Sequence, residues 1–149
     1  MTRRSALLLI LAVSAVGGAS AADPETLEAI KREADLEKRS KFALEHARKQ
    51  IDPMVEDYLA AEPEQARARL GAIVEAVEVS YDALEDTGKH PRAKPKHFKR
   101  AEIATRKLIN SLEDCKRKLT FEEDKDLDPV IARIEEINQS LLMGIMRKK

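Results

Sequence analysis

Apolar residues recur along this chain at spacings of three and four, the rhythm of helices that each bury one face. Leu36, Ser40, Ala43, Leu44, Ala47 and Ile51 form one such stripe. Leu44, Ala47, Ile51, Met54 and Tyr58 carry a single heptad phase straight past Pro53. Asp23-Pro24 reads as a helix start, a capping carboxylate followed by proline at the first helical position. Asp52-Pro53 repeats that signal, but two unrelated helices would share phase only by chance. The pattern therefore predicts one long helix, roughly residues 24–60, kinked near Pro53. Its surface carries Glu28/Arg32, Asp35/Arg39, Glu37/Lys41 and Glu45/Lys49, each four apart with the acid first. On an exposed face such a pair adds about 0.3 kcal/mol.

Pro63 opens a second predicted helix with Ala66, Leu70, Ile73, Val74, Val77, Tyr81 and Leu84 inward, stopped at Thr87-Gly88 by a C-cap glycine. Gly88 to Lys94 is a predicted loop, kept from helix by Pro91 and Pro95. A third helix starts at about Pro95 and runs through Phe98, Ala101, Thr105, Leu108, Leu112, Cys115 and Leu119. Thr120-Phe121-Glu122-Glu123 has the form of a capping box. Asp128-Pro129 starts the last helix, with Val130, Ile131, Ile134, Ile137, Leu141, Leu142 and Ile145 inward. Short connections imply antiparallel neighbours, so the predicted fold is all-α: an antiparallel bundle of four helices, the first long and kinked near Pro53. Tyr58 to Leu70 loosely approaches a tetratricopeptide hairpin, but its spacing is one residue short and no second copy follows.

The N-terminus has a different pattern. Arg3 and Arg4 precede an uncharged run from Ser5 to Ala22, apolar at its centre from Leu7 to Val13. Gly17-Gly18 breaks the run, and Ala19-Ser20-Ala21 supplies the small-x-small sequence that a signal peptidase accepts. Residues 1–21 are expected to be a signal peptide cleaved after Ala21, leaving 22–149 as a single helical-bundle domain. The alternative is an uncleaved anchor, for which 18 residues holding two Gly and three Ser are marginal. Thr2-Arg3-Arg4-Ser5 echoes a twin-arginine signal, but the residues after it fit ordinary secretion better.

Composition narrows the function classes. The chain has 149 residues, 27 basic and 27 acidic, and only five aromatics. Without Arg3 and Arg4 the 27 bases become 25, for a net charge of −2, which gives no bulk attraction to nucleic acid or membrane. The single cysteine, Cys115, excludes an internal disulfide and any cysteine-based zinc site, and its place in a core stripe predicts a buried, inert thiol. His90 and His97 lie seven apart across a loop, with His46 on another helix, so no metal site is expected. Phosphate-binding loops, dinucleotide fingerprints and nucleophile elbows are absent, and no catalytic residue or cofactor is expected. Asn138-Gln139-Ser140 matches a glycosylation sequon in the middle of a predicted helix.

Charge segregation is the most unusual feature. From Leu70 to Gly88 the charged residues are Glu75, Glu78, Asp82, Glu85 and Asp86, with no base. From Gly88 to Arg100 they are Lys89, Arg92, Lys94, Lys96, Lys99 and Arg100, with His90 and His97 and no acid. These six cations are the candidate anion-binding residues. The competing account is internal neutralisation, the acidic end of the second helix lying beside the basic start of the third. Nucleic acid is not expected, since only Phe98 could stack a base there.

Asp86-Thr87-Gly88-Lys89-His90-Pro91-Arg92 and Pro95-Lys96-His97-Phe98-Lys99-Arg100-Ala101-Glu102 resemble a stretch of small uncharacterised secreted helical proteins of bacteria. The resemblance covers the middle third of the chain. It implies an exported helical domain and brings no known activity or functional residue. The expected function is therefore an exported, non-catalytic structural or protein-interaction module of the bacterial envelope. Its partner would be an envelope protein or an anionic surface. The alternatives are a periplasmic chaperone-like protein and an anion-binding protein acting through loop 88–100. For the chaperone, Leu119-Thr120-Phe121-Glu122-Glu123 approaches a Leu-Thr-x-x-Gln motif without its final Gln.

Overall fold

The computed structural model describes residues 26–147. The expected signal peptide at 1–21 and the Asp23-Pro24 helix start lie outside the described residues. Within them the chain is all-helical, with no strand. In order come α1 (Leu27–Lys31), α2 (Leu36–Lys49), α3 (Ile51–Leu59), α4 (Pro63–Asp86), α5 (Lys96–Lys116), α6 (Phe121–Asp124), a 3₁₀ turn (Lys125–Leu127) and α7 (Asp128–Met146). Among the described residues no helix is long and apolar enough to cross a membrane.

The long helix expected over 24–60 is three elements. The first interruption follows Lys31, because Asp35 caps a fresh helix, accepting from the amides of Glu37 and Lys38 at 3.0 and 3.1 Å. The second falls at Gln50. Pro53 has no N–H for the Lys49 carbonyl, and its ring crowds that oxygen. The ladder tightens there, with the Gln50 amide bonded to the Ala47 carbonyl at 3.2 Å. The shared phase is nevertheless real, since Leu44, Ala47, Ile51, Met54 and Tyr58 are all buried. None of the four expected acid-first pairs closes among the described residues. Asp35 is used as a cap, Glu37 turns to Lys89 and His97, and Arg39 donates to the Glu33 carbonyl at 2.9 and 2.7 Å.

Most other boundaries follow the sequence. Gly88, at φ 67°, stands just past the Thr87 cap of α4. Thr120 accepts from the Glu123 amide at 3.3 Å and starts α6. Asp128 opens α7 as expected. The α3–α4 turn holds a surprise. The Glu62 amide reaches the Asp57 carbonyl at 2.8 Å and the Ala61 amide the Tyr58 carbonyl at 3.1 Å, a Schellman closure with alanine at φ 57°.

One contiguous buried cluster draws on α2, α3, α4, α5 and α7, with Met54, Ile73, Leu84, Leu112 and Ile134 fully enclosed. Cys115 is buried in it as a free thiol. α4 is covered on two sides, by α2 and α3 and by α7, which is why Ala76, Ser80 and Ala83 are buried beyond its predicted stripe. Partner numbering gives the directions. Ser40 meets Ser80 and Gln50 meets Arg69, so α2 and α4 run antiparallel. Thr105 meets Asn138 and Lys116 meets Asp128, so α5 and α7 do as well. Between these hairpins the order is opposite. Glu78 meets Arg133 and Tyr81 faces Ser140, so α4 and α7 run the same way. Antiparallel packing thus holds within each hairpin and not between them.

Candidate functional site

The parallel contact between hairpins makes the segment from Gly88 to Pro95 cross one end of the molecule on its way from α4 to α5. It is pinned on both sides. Lys89 pairs with Glu37 in the first turn of α2. The Pro91 ring seats over Gly144 near the end of α7, where an added Cβ would come within 3.2 Å of it. Pro91 therefore fastens the loop to the end of α7.

Of the six candidate cations, two are engaged by α2. Glu37 is their common acceptor. Lys89 takes one carboxylate oxygen, and His97 Nε2 lies 2.6 Å from the other. Arg100 Nη2 donates to the Glu37 backbone carbonyl at 3.0 Å. The hydrogen bond from Lys89 holds the Glu37 carboxyl below its ordinary value, with His97 adding to it. Burial pushes His97 down, ahead of the opposing pull of Glu37. Burial also lowers Arg100, which still remains charged. Two buried polar atoms here have no partner, His97 Nδ1 and Arg100 Nε.

The other four cations behave differently. Arg92, Lys94, Lys96 and Lys99 are exposed and make no ion pair among the described residues. Arg92 is positioned only through its backbone, whose amide donates to His90 Nδ1 at 3.2 Å. Lys99 and Lys96 stand on the first turns of α5, and Arg92 and Lys94 on the loop before it. Four like charges thus share one end of the molecule on a backbone fixed by Lys89, Pro91 and Phe98, the last of which is buried. Buried Phe98 offers no face for stacking a base.

Internal neutralisation does occur, but from an acid the sequence did not single out. Of the α4 acids, Glu75 pairs with Lys31 and Glu78 with Arg133, and among the described residues none pairs with a cation of the 88–100 segment. Glu37 had an apparent partner in Lys41 four residues on, and nothing local marks its true ones. They lie 52 to 63 positions away. Burial makes His97 take up its proton only at lower pH than an ordinary imidazole, so it adds no charge to the patch in mild acid.

Other candidate features have structural uses. Asn138 of the sequon is buried, donating to Thr105 Oγ1 at 2.9 Å and to the Glu102 carbonyl at 2.9 Å, so its amide is not available to a glycan in the folded chain. Thr120, in the Leu-Thr segment, caps α6. Among the described residues no group of three His, Cys, Asp or Glu side chains converges as metal ligands do. No protein-family model, curated protein or solved structure matches this chain.

Proposed function

We propose that this chain is an exported, non-catalytic helical protein of the bacterial envelope that docks onto anionic surfaces through the end built by loop 88–95 and the start of α5. The observation that carries the reading is the division among the cations. Glu37 occupies Lys89 and the neighbouring Arg100, while Arg92, Lys94, Lys96 and Lys99 stay exposed without acid partners. A fixed backbone with four unpaired cations attracts polyanions with little ordering cost. The export signal at 1–21 and a single domain at 22–149 belong to the same proposal. So does a four-cornered bundle in which α2 and α3 form one broken rod, a shape supported by their common packing on α4.

Retention of the full chain on heparin beads and on anionic vesicles tests the reading. The wild type should be held at low salt and released as salt rises. Replacing Arg92, Lys94 and Lys96 by Ser should abolish retention without changing helical content. Failure of the wild type to bind either support at low salt would reduce the segment to an internal counter-charge.

A further inference from the structure

A second feature lies along the side of the molecule. A groove of about 220 Å³ runs between α2 and α5. Its floor is apolar, made by Leu44, Ala104 and Leu108, and the small side chain of Ala104 leaves the space. Its rim is cationic, with Lys41, Arg48 and Lys107 exposed and Arg100 at one end. Glu45 is the one acid among the lining residues. Lys41, Arg48 and Lys107 make no ion pair among the described residues.

At the Arg100 end a guanidinium donor, Nε–H, is buried with no partner. Leaving such a donor unmade is costly, and the planar fork of arginine matches a carboxylate. The lining runs along the two helices, from Lys41 and Arg100 at one end to Arg48 and Ser111 at the other, an elongated shape that suits a slender apolar chain. Apolar floor, cationic rim and buried unpaired donor together call for a thin apolar tail with one anionic head.

We propose that the α2–α5 groove binds a single-chain carboxylate amphiphile of the free fatty-acid class, its head on Arg100 and Lys41 and its tail along Leu44, Ala104 and Leu108. Lys41 and Arg100 share one end because α2 and α5 run parallel, Glu37 meeting Arg100 there while Arg48 and Ser111 lie farther along. None of the exposed cations Arg92, Lys94, Lys96 and Lys99 lines this groove, so the two sites are separable.

Calorimetric titration of the full chain with hexanoate, octanoate, decanoate and dodecanoate, each below its aggregation concentration, is the test. Affinity should rise about fourfold per added methylene while the groove fills, then level off. Alkyltrimethylammonium ions of matching length should bind at least about tenfold more weakly, because the rim repels them. Ala104→Phe should remove binding and Ala104→Ser should keep it. Should Ala104→Phe fail to fold by circular dichroism, Lys41→Glu with Lys107→Glu, both at exposed positions, should weaken decanoate binding about tenfold. Replacing Arg92, Lys94 and Lys96 by Ser should leave decanoate binding as it is, even if it removes retention on heparin. No binding by dodecanoate would overturn the proposal. So would equal affinity for the ammonium series, or unchanged binding in a folded Ala104→Phe.

Discussion

At Glu37, both carboxylate oxygens and the backbone carbonyl are taken by groups from the loop and α5: Lys89, His97 and Arg100. The pH response of this hub has a definite sign. Burial keeps folded His97 below the 6.5 at which it titrates when exposed. Between those two values the unfolded chain binds a proton and the folded chain does not, so stability falls as pH drops below about 6.5. Glu37 is held below 4.5, so a second loss begins beneath that value. A series of urea midpoints between about pH 7.5 and 5.5 should fall for the wild type and stay flatter for His97→Gln. Two other residues allow simple checks. Ala61 holds φ 57° in the α3–α4 turn, a conformation that glycine adopts without a Cβ clash. Ala61→Gly should raise stability by about 1 kcal/mol in chemical denaturation. Cys115 is buried, and burial pushes its thiol up, so a bulky thiol reagent should react far more slowly with the native chain than in denaturant. Cys115→Ala should cost about 1 kcal/mol.

Between elements, close approach depends on small and polar residues in the core. α2 and α4 meet across Ser40 and Ser80, whose buried hydroxyls are 2.8 Å apart, with Ala43, Ala47, Ala76 and Ala83 also buried on these two helices. Either single change to alanine strands the other hydroxyl away from water. Each should cost about 1–2 kcal/mol, and the double variant should cost clearly less than the sum. Additive costs in a double-mutant cycle would show that the two hydroxyls are not coupled. The break at Gln50 belongs to the same scale. Pro53 stops one hydrogen-bond ladder, yet α2 and α3 keep their apolar faces on α4, and Arg69 of α4 braces the joint by donating to Gln50 Oε1 at 3.2 Å and pairing with Asp57 at 2.5 Å. Burial on a shared partner holds the two pieces nearly in phase where the backbone alone would not.

For the whole molecule, the two ends differ in character. At one end the α5–α7 connection closes over the α3–α4 turn, where Asp126 accepts from the Tyr58 hydroxyl at 2.7 Å and from Arg67 Nε at 3.0 Å. Burial, with Asp126 beside it, pushes the Tyr58 hydroxyl up. That end is internally matched. The opposite end carries the crossing loop and an excess of cations that a single carboxylate partly offsets. Stability and anion attraction therefore trade against each other at Glu37. Glu37→Gln should free Lys89, move elution from heparin to higher salt, and lower stability by about 1 kcal/mol. If both quantities move in the same direction, Glu37 is not the group that balances them.

Periodicity is local, and what depends on it was legible in the chain alone. The stripes through Ile73 and Val77, Leu108 and Leu112, and Ile131 and Ile134 specify helices and their buried faces, because burying an apolar stripe is how such a helix is stabilised. Gly88 and Asp128-Pro129 mark ends through their own backbone preferences. The cluster of cations from Lys89 to Arg100 was equally plain. The shared phase outweighed the proline at 53 in the sequence pattern, but phase reports packing and the proline acts on the backbone, where the ladder breaks at Gln50. Only tertiary structure set the parallel contact between the hairpins, and with it the course of loop 88–95 across one end. From that single choice follow the pairing of Glu37 with Lys89 and His97, the seating of Pro91 on Gly144, and the groove over Ala104 between α2 and α5. Each joins residues dozens of positions apart, and a helix face records that it must be covered without recording which helix will cover it.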